Sequence, residues 1–213
     1  GSIITTLFGF IRTALTTRGL GIELFGILTI TISYVEVMVN ATKFTPWHAL
    51  IKYGSEAFNQ DQKSIFAGYI KQSLIFDSMS ALLGFIITNS LINVFSDYFS
   101  LSSDMRSNIA LYSLVAFLDL SGTPIGVLRL LNKFRYFMVQ NFITATLGVI
   151  GAGIAYFFNG GIFEYILVLI ISKLVGTIYI IIVMVKELRE VDLLKYWRSP
   201  AQHWWAFTKF TLW

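Results

Sequence analysis

No cysteine occurs among the 213 residues, which excludes a disulfide framework and any thiolate site. Only two histidines are present, His48 and His203, far apart and outside the apolar runs. A zinc site needs three or four ligands, so no metal and no other cofactor is expected. Charged residues make up 13% of the chain, whereas a soluble domain carries roughly a quarter. So little charge cannot coat a water-facing globule. The acidic residues are also dispersed, without a D-x-x-D-type pair. That argues against a membrane-embedded transferase acting on prenyl diphosphates, which needs clustered carboxylates for metal or acid–base work.

What is abundant is apolar surface. Hydrophobic residues account for 55% of the chain, and the mean hydropathy is +0.69. They come in runs too long for one globular core, so lipid must cover much of the surface. The expected fold is an all-α integral membrane bundle. Crossing the hydrocarbon takes roughly 20 apolar residues as a helix. Six such spans are predicted, at about 2–19, 22–40, 71–95, 108–124, 136–158 and 162–185. Arg18-Gly-Leu-Gly21 marks a tight turn after the first, and Asn159-Gly-Gly161 a turn before the last. The first span does not read as a signal peptide. It has Arg12 in its middle, no small-x-small cleavage pattern and a second span directly behind it.

Six spans place the start, the second-to-third and fourth-to-fifth loops and the C-terminal tail on one side. Twelve of the 16 Lys and Arg residues then share that side, and only Arg18 and Arg106 lie on the other. The positive-inside rule predicts both ends to be cytoplasmic. The basic residues form no nucleic-acid stripe, and no nucleic-acid partner is expected. Residues 187–213 hold Trp197, Trp204, Trp205 and Trp213 with Lys195, Arg198 and Lys209 around Pro200. This composition predicts an amphipathic segment at the membrane surface, leading toward a further span.

Ionisable groups inside spans are costly and mark cavities or partners. The candidates are Arg12, Glu36, Asp77, Asp119 and Lys173. Arg12 and Lys173 fall near mid-helix, Asp119 is intermediate, and Glu36 and Asp77 are shallow enough to reach the interface by snorkelling. Two arrangements fit this pattern. In one, Arg12 and Lys173 form the cationic floor of a cavity that attracts an anion such as a diphosphate. In the other they pair internally, Arg12 with Glu36 or Lys173 with Asp119. Gly148-x-x-Gly151-x-Gly153 lies inside an apolar helix with no strand before it. It therefore reads as a helix-packing pattern and not as a nucleotide fingerprint. Gly122 and Pro124 predict a broken helix, making residues 121–129 a stiff, bent connector.

Three segments together carry a resemblance. Leu7-Phe-Gly-Phe-Ile-Arg12 leads into Thr17-Arg-Gly-Leu-Gly21 and Leu24-Phe-Gly-Ile-Leu28, and Pro46-Trp-His-Ala-Leu-Ile-Lys-Tyr-Gly54 follows the second span. Ser121-Gly-Thr-Pro-Ile-Gly-Val-Leu-Arg129, with Lys133-Phe-Arg135 behind it, joins the fourth and fifth. The whole chain resembles the bacterial O-antigen-type polysaccharide flippases of the multidrug/oligosaccharidyl-lipid/polysaccharide exporter superfamily. Members have two six-helix lobes facing each other across a central cavity, so residues 1–186 would be the first lobe. The resemblance implies a transporter of the bacterial inner membrane and not an enzyme. Its cargo would be undecaprenyl-diphosphate-linked oligosaccharide, and a polysaccharide polymerase and glycosyltransferases of the same pathway would be its partners. Arg12, in the G-F-x-R step, aligns with a cationic cavity position of the family, and Lys173 is added from depth alone. Asp119 is a candidate for binding a coupling ion, and Arg129, Lys133 and Arg135 for cytoplasmic contacts to headgroups or to the incoming diphosphate. A cation-coupled drug exporter of the same superfamily would instead have an acidic, aromatic cavity without a buried arginine.

Overall fold

The computed structural model describes residues 2–99, 102–197 and 204–212, and every regular element in them is helical. In chain order these are α1 (Ser2–Ala41), α2 (Pro46–Asn59), α3 (Lys63–Phe99), α4 (Ser103–Tyr112) and α5 (Val115–Leu118). Then come α6 (Gly122–Leu130), α7 (Arg135–Phe157), α8 (Ile162–Glu190), a 3-10 turn (Leu193–Tyr196) and α9 (Trp204–Leu212). Arg198, Pro200, His203 and Trp213, which belong to the predicted interfacial tail, lie outside the described residues.

Among the described residues, five helical runs are long and apolar enough to cross a membrane: Ile3–Ala41, Lys63–Val94, Ser103–Leu130, Arg135–Phe157 and Ile162–Glu190. The first two predicted spans lie together in α1. A straight helix of 39 residues would be about 59 Å long, twice the hydrocarbon thickness of about 30 Å. Gly21 interrupts it with φ 73° and ψ 173°, a backbone that glycine adopts without steric cost. Arg12 and Glu36 line one cavity, yet a straight helix would hold them about 36 Å apart. The chain therefore folds back at Gly21, and residues 2–20 and 22–41 form two arms facing the same interior.

Three boundaries differ from the sequence-based expectation. α3 begins at Lys63 rather than near residue 71, because Phe66 and Tyr69 in its first two turns pack against Phe58 and Tyr53 of α2. Residues 121–129, expected as a bent connector, form α6. Pro124 sits in its first turn, where a missing N–H costs nothing, and the actual breaks fall upstream around Ser113 and between Asp119 and Ser121. Residues 46–59, within the expected loop between the second and third spans, form α2. Pro46 starts that helix, and its apolar face (Ala49, Leu50, Ala57) is buried.

Beside a small cluster of Leu128, Ile180 and Val183, the described residues pack into two large cores. One gathers Leu28 and Val35 of α1, Ile109 and Tyr112 of α4, and Ala152, Tyr165 and Ile166 of α7 and α8. The other joins α2, α3 and α6 to the end of α8, Leu193 and α9 through Leu50, Phe66, Ile70, Leu188 and Phe207. Within it the ring of Phe207 stacks on Tyr69 at 5.6 Å, tying α9 to α3. Outside these cores much of the surface is apolar: Ile22 is 87% exposed, Phe158 82% and Phe157 80%. Side chains of that size in such number suit hydrocarbon rather than water.

Candidate functional site: a polar cavity lined by Arg12

A cavity of about 370 Å³ opens between the two arms of α1, the α4–α6 run, α7 and α8. Its wall is unusually polar for the interior of an apolar bundle. Arg12, Glu36, Tyr112 and Ser121 line it from one side, and Gln140, Asn141, Thr144, Ser172, Lys173 and Thr177 from the other. Two predicted site residues, Arg12 and Lys173, thus share one space.

Arg12 reaches that space because α7 leaves room for it. The Cβ that Gly148 lacks would stand 3.2 Å from Arg12 Cδ. Gly151 similarly admits Val168 of α8, where a Cβ would meet its Cγ1 at 2.7 Å, whereas Gly153 has nothing within 4 Å. The packing pattern read from sequence is therefore two close approaches and one outward-facing position. Among the described residues no ion pair or side-chain hydrogen bond holds the Arg12 guanidinium, so it does not pair with Glu36. Arg12 also lines two smaller neighbouring pockets, one toward Tyr165 and one toward Phe8.

Lys173 has a partner. Its Nζ lies 3.6 Å from Asp119 Oδ1, the pairing left open from sequence. Lys43, which follows α1, makes a closer contact with Asp119 Oδ2. Asp119 caps α5 at the break before α6, so one carboxylate ties that break to α1 and to α8. Nothing in the local sequence signals Lys43, which stands 76 residues from Asp119.

Asp77 does not snorkel as expected. It is only 6% exposed, and its Oδ2 accepts hydrogen bonds from the Thr123 N–H at 2.7 Å and the Thr123 hydroxyl at 2.6 Å. Gly122 is the neighbour that allows this, since a Cβ there would meet Asp77 Oδ1 at 2.9 Å. The carboxylate thereby satisfies an N–H at the start of α6, which the helix itself leaves without a partner.

The three basic residues near the end of α6 are each engaged within the chain. The Arg129 guanidinium lies over the Trp47 ring, 4.7 Å from its centroid. Lys133 Nζ contacts Glu187 Oε2 at 3.0 Å, and this hydrogen bond to the carboxylate raises the Lys133 pKa above the ordinary lysine value. Arg135 donates to the Tyr136 hydroxyl at 3.2 Å. They lie outside the cavity lining, so Arg12 and Lys173 are brought together and these three are not.

The sequence reading missed the hydroxyl and amide groups of α7 and α8. Gln140, Asn141 and Thr144 fall at helical spacing on one face of α7, as do Ser172, Lys173 and Thr177 on α8. That polar stripe within apolar spans was the available signal.

The family of polysaccharide biosynthesis proteins matches residues 1–212. The chain belongs to that family. This agrees with the flippase-type resemblance read from the three segments, over essentially the same residues. The chain is also 25% identical, over 175 residues, to the inner membrane protein YghQ of Escherichia coli (strain K12). That similarity covers 82% of this chain but 49% of the relative, so the chain spans about half the relative's length. No solved structure matches. As a member of the family, the chain is a helical membrane protein, and among its described residues α1, α4, α6, α7 and α8 line one polar cavity.

Proposed function

We propose that this chain is the first lobe of a polysaccharide flippase of the bacterial inner membrane, with six crossings and both of its ends in the cytoplasm. The cargo is undecaprenyl-diphosphate-linked oligosaccharide, passed from the cytoplasmic to the periplasmic leaflet. A second lobe of similar build would face the cavity, and alternating access would rock the two about it. An ion gradient or the membrane potential would drive the cycle.

The observation that carries this reading is Arg12, a guanidinium without a partner among the described residues, on the wall of a polar cavity inside an apolar bundle. A diphosphate matches its planar fork of donors. The amides and hydroxyls of Gln140, Asn141, Thr144 and Ser172 suit the sugar hydroxyls that follow it. The engaged state of Arg129, Lys133 and Arg135 fits headgroup contacts at the rim better than a place in the cargo path.

The test reconstitutes the whole protein carrying this chain into liposomes and follows translocation of a fluorescent polyprenyl-diphosphate oligosaccharide. Translocation in the wild type, lost in a folded Arg12→Ala variant, supports the reading. A wild type that exports small cations and leaves the lipid in place would replace it with a drug exporter of the same superfamily.

A further inference from the structure

Asp119 holds two lysines unequally. Lys43 makes the close contact, to Oδ2, while Lys173 stands 3.6 Å from Oδ1, beyond ordinary hydrogen-bond distance. The two lysines also face different spaces. Lys173 lines the polar cavity with Arg12 and is 40% exposed, whereas Lys43 lines a separate small pocket with Asp77, Ser80 and Asp119. Lys43 also interacts electrostatically with Asp77, the other acid of that small pocket, which accepts hydrogen bonds from Thr123, but its close contact is to Asp119. Asp119 therefore stays paired when Lys173 leaves it.

We infer that Lys173 is an exchangeable cation, lent by Asp119 to the anionic group of the cargo and returned when the cargo departs. The inference rests on the proposed diphosphate-bearing cargo and adds a role for this trio. In the loaded cavity Arg12 and Lys173 grip the diphosphate together, and Asp119 remains neutralised by Lys43. Lys173 belongs to α8 and Asp119 to the break between α5 and α6. Each exchange would therefore loosen α8 at that break, leaving the Thr177 hydroxyl bonded to the Leu118 carbonyl at 2.7 Å as the remaining tie, and each return would restore the second. No bond is made or broken covalently, and no proton needs to move.

Because the carboxylate competes with the cargo for Lys173, the two partners of the trio have opposite expected effects. Asp119→Asn removes the competitor, so binding of an anionic probe tightens, by about two- to fivefold for a partly exposed pair. Lys43→Gln leaves Asp119 with Lys173 alone, so binding weakens by a similar factor. A bound coupling ion at Asp119 would give a different signature: loss of gradient dependence in Asp119→Asn without a gain in affinity.

The experiment measures binding of a fluorescent short-chain polyprenyl diphosphate to the whole protein in nanodiscs of neutral lipid. Parallel titrations use inorganic diphosphate and phosphatidylglycerol. Tighter binding in Asp119→Asn, weaker binding in Lys43→Gln, and no gain when Asp119→Asn is added to Lys173→Gln support the exchange. Should Asp119→Asn not fold, Lys43→Gln decides alone, and unchanged or tighter binding there overturns the inference. A wild type that binds the prenyl diphosphate with all variants equal overturns the exchange and leaves the cargo reading standing. Should the wild type bind no prenyl diphosphate, or prefer phosphatidylglycerol, the cargo reading falls and the inference falls with it.

Discussion

Gly148 of α7 and Arg12 of α1 touch: a Cβ at residue 148 would stand 3.2 Å from Arg12 Cδ and 3.6 Å from Nη1. The glycine is the notch through which the guanidinium reaches the cavity. Arg12→Ala removes a charge-assisted contact to the diphosphate, expected to weaken probe binding about tenfold to a hundredfold. Gly148→Ala pushes the side chain aside and weakens binding by a fraction of that, about two- to fivefold. Gly148→Leu blocks the notch and approaches the Arg12→Ala value. Gly153→Ala, with nothing within 4 Å, leaves binding unchanged. Wild-type binding in Gly148→Leu would remove the notch from this account.

Asp77 and Thr123 form a second, structural relationship. Asp77→Ala strands the buried Thr123 N–H, while the Thr123 hydroxyl keeps its bond to the Ser73 hydroxyl at 2.7 Å, and the loss costs about 1–3 kcal/mol. Asp77→Asn keeps an accepting oxygen and recovers much of this. Denaturant unfolding in detergent reads the difference, and an Asp77→Ala variant as stable as the wild type would show that water replaces the carboxylate.

Gly19 meets Tyr165 more closely still, since a Cβ there would lie 2.1 Å from the Tyr165 hydroxyl. That hydroxyl is buried and has no hydrogen-bond partner among the described residues. Gly19→Ala should therefore overpack the contact and cost about 1–3 kcal/mol. Tyr165→Phe, which deletes an unpaired polar atom, should be neutral or stabilising, and the double variant should regain most of the loss. Thermal unfolding of the four proteins checks this cycle, and additive losses would exclude the contact.

Lys133 and Glu187 give a pH dependence with a definite sign. The Lys133 pKa is raised above its ordinary 10.5 by the carboxylate, so its contribution is complete below that pH and is lost as pH rises through the folded value. Lys133→Met should lower the unfolding temperature by the same amount at pH 6 and pH 9. The gap to wild type should close only above about pH 10.5. A gap that closes on acidification, while Glu187 remains ionised, would mean another group is responsible.

The membrane class, the apolar runs and the turn around Gly21 were legible in the sequence, which left open whether Arg12 faces a cavity or pairs with Glu36. Each depends on residues close together in the chain. Transfer of a helix into hydrocarbon is a sum over about 20 consecutive side chains, and a glycine turn is set by its own dihedrals. Pro124 shows the limit of that locality. The same residue breaks a helix in its middle and is harmless in its first turn, and only the structure says which applies.

The cavity's chemistry was decided at longer range. Lys43 reaches Asp119 across 76 residues and Thr123 reaches Asp77 across 46. The three glycines of α7 look alike in sequence, yet one admits Arg12, one admits Val168 and one faces outward. Such contacts depend on how each helix is rotated about its axis and which faces meet. Those angles come from side-chain packing between elements, a property of pairs of surfaces that no single stretch of chain contains.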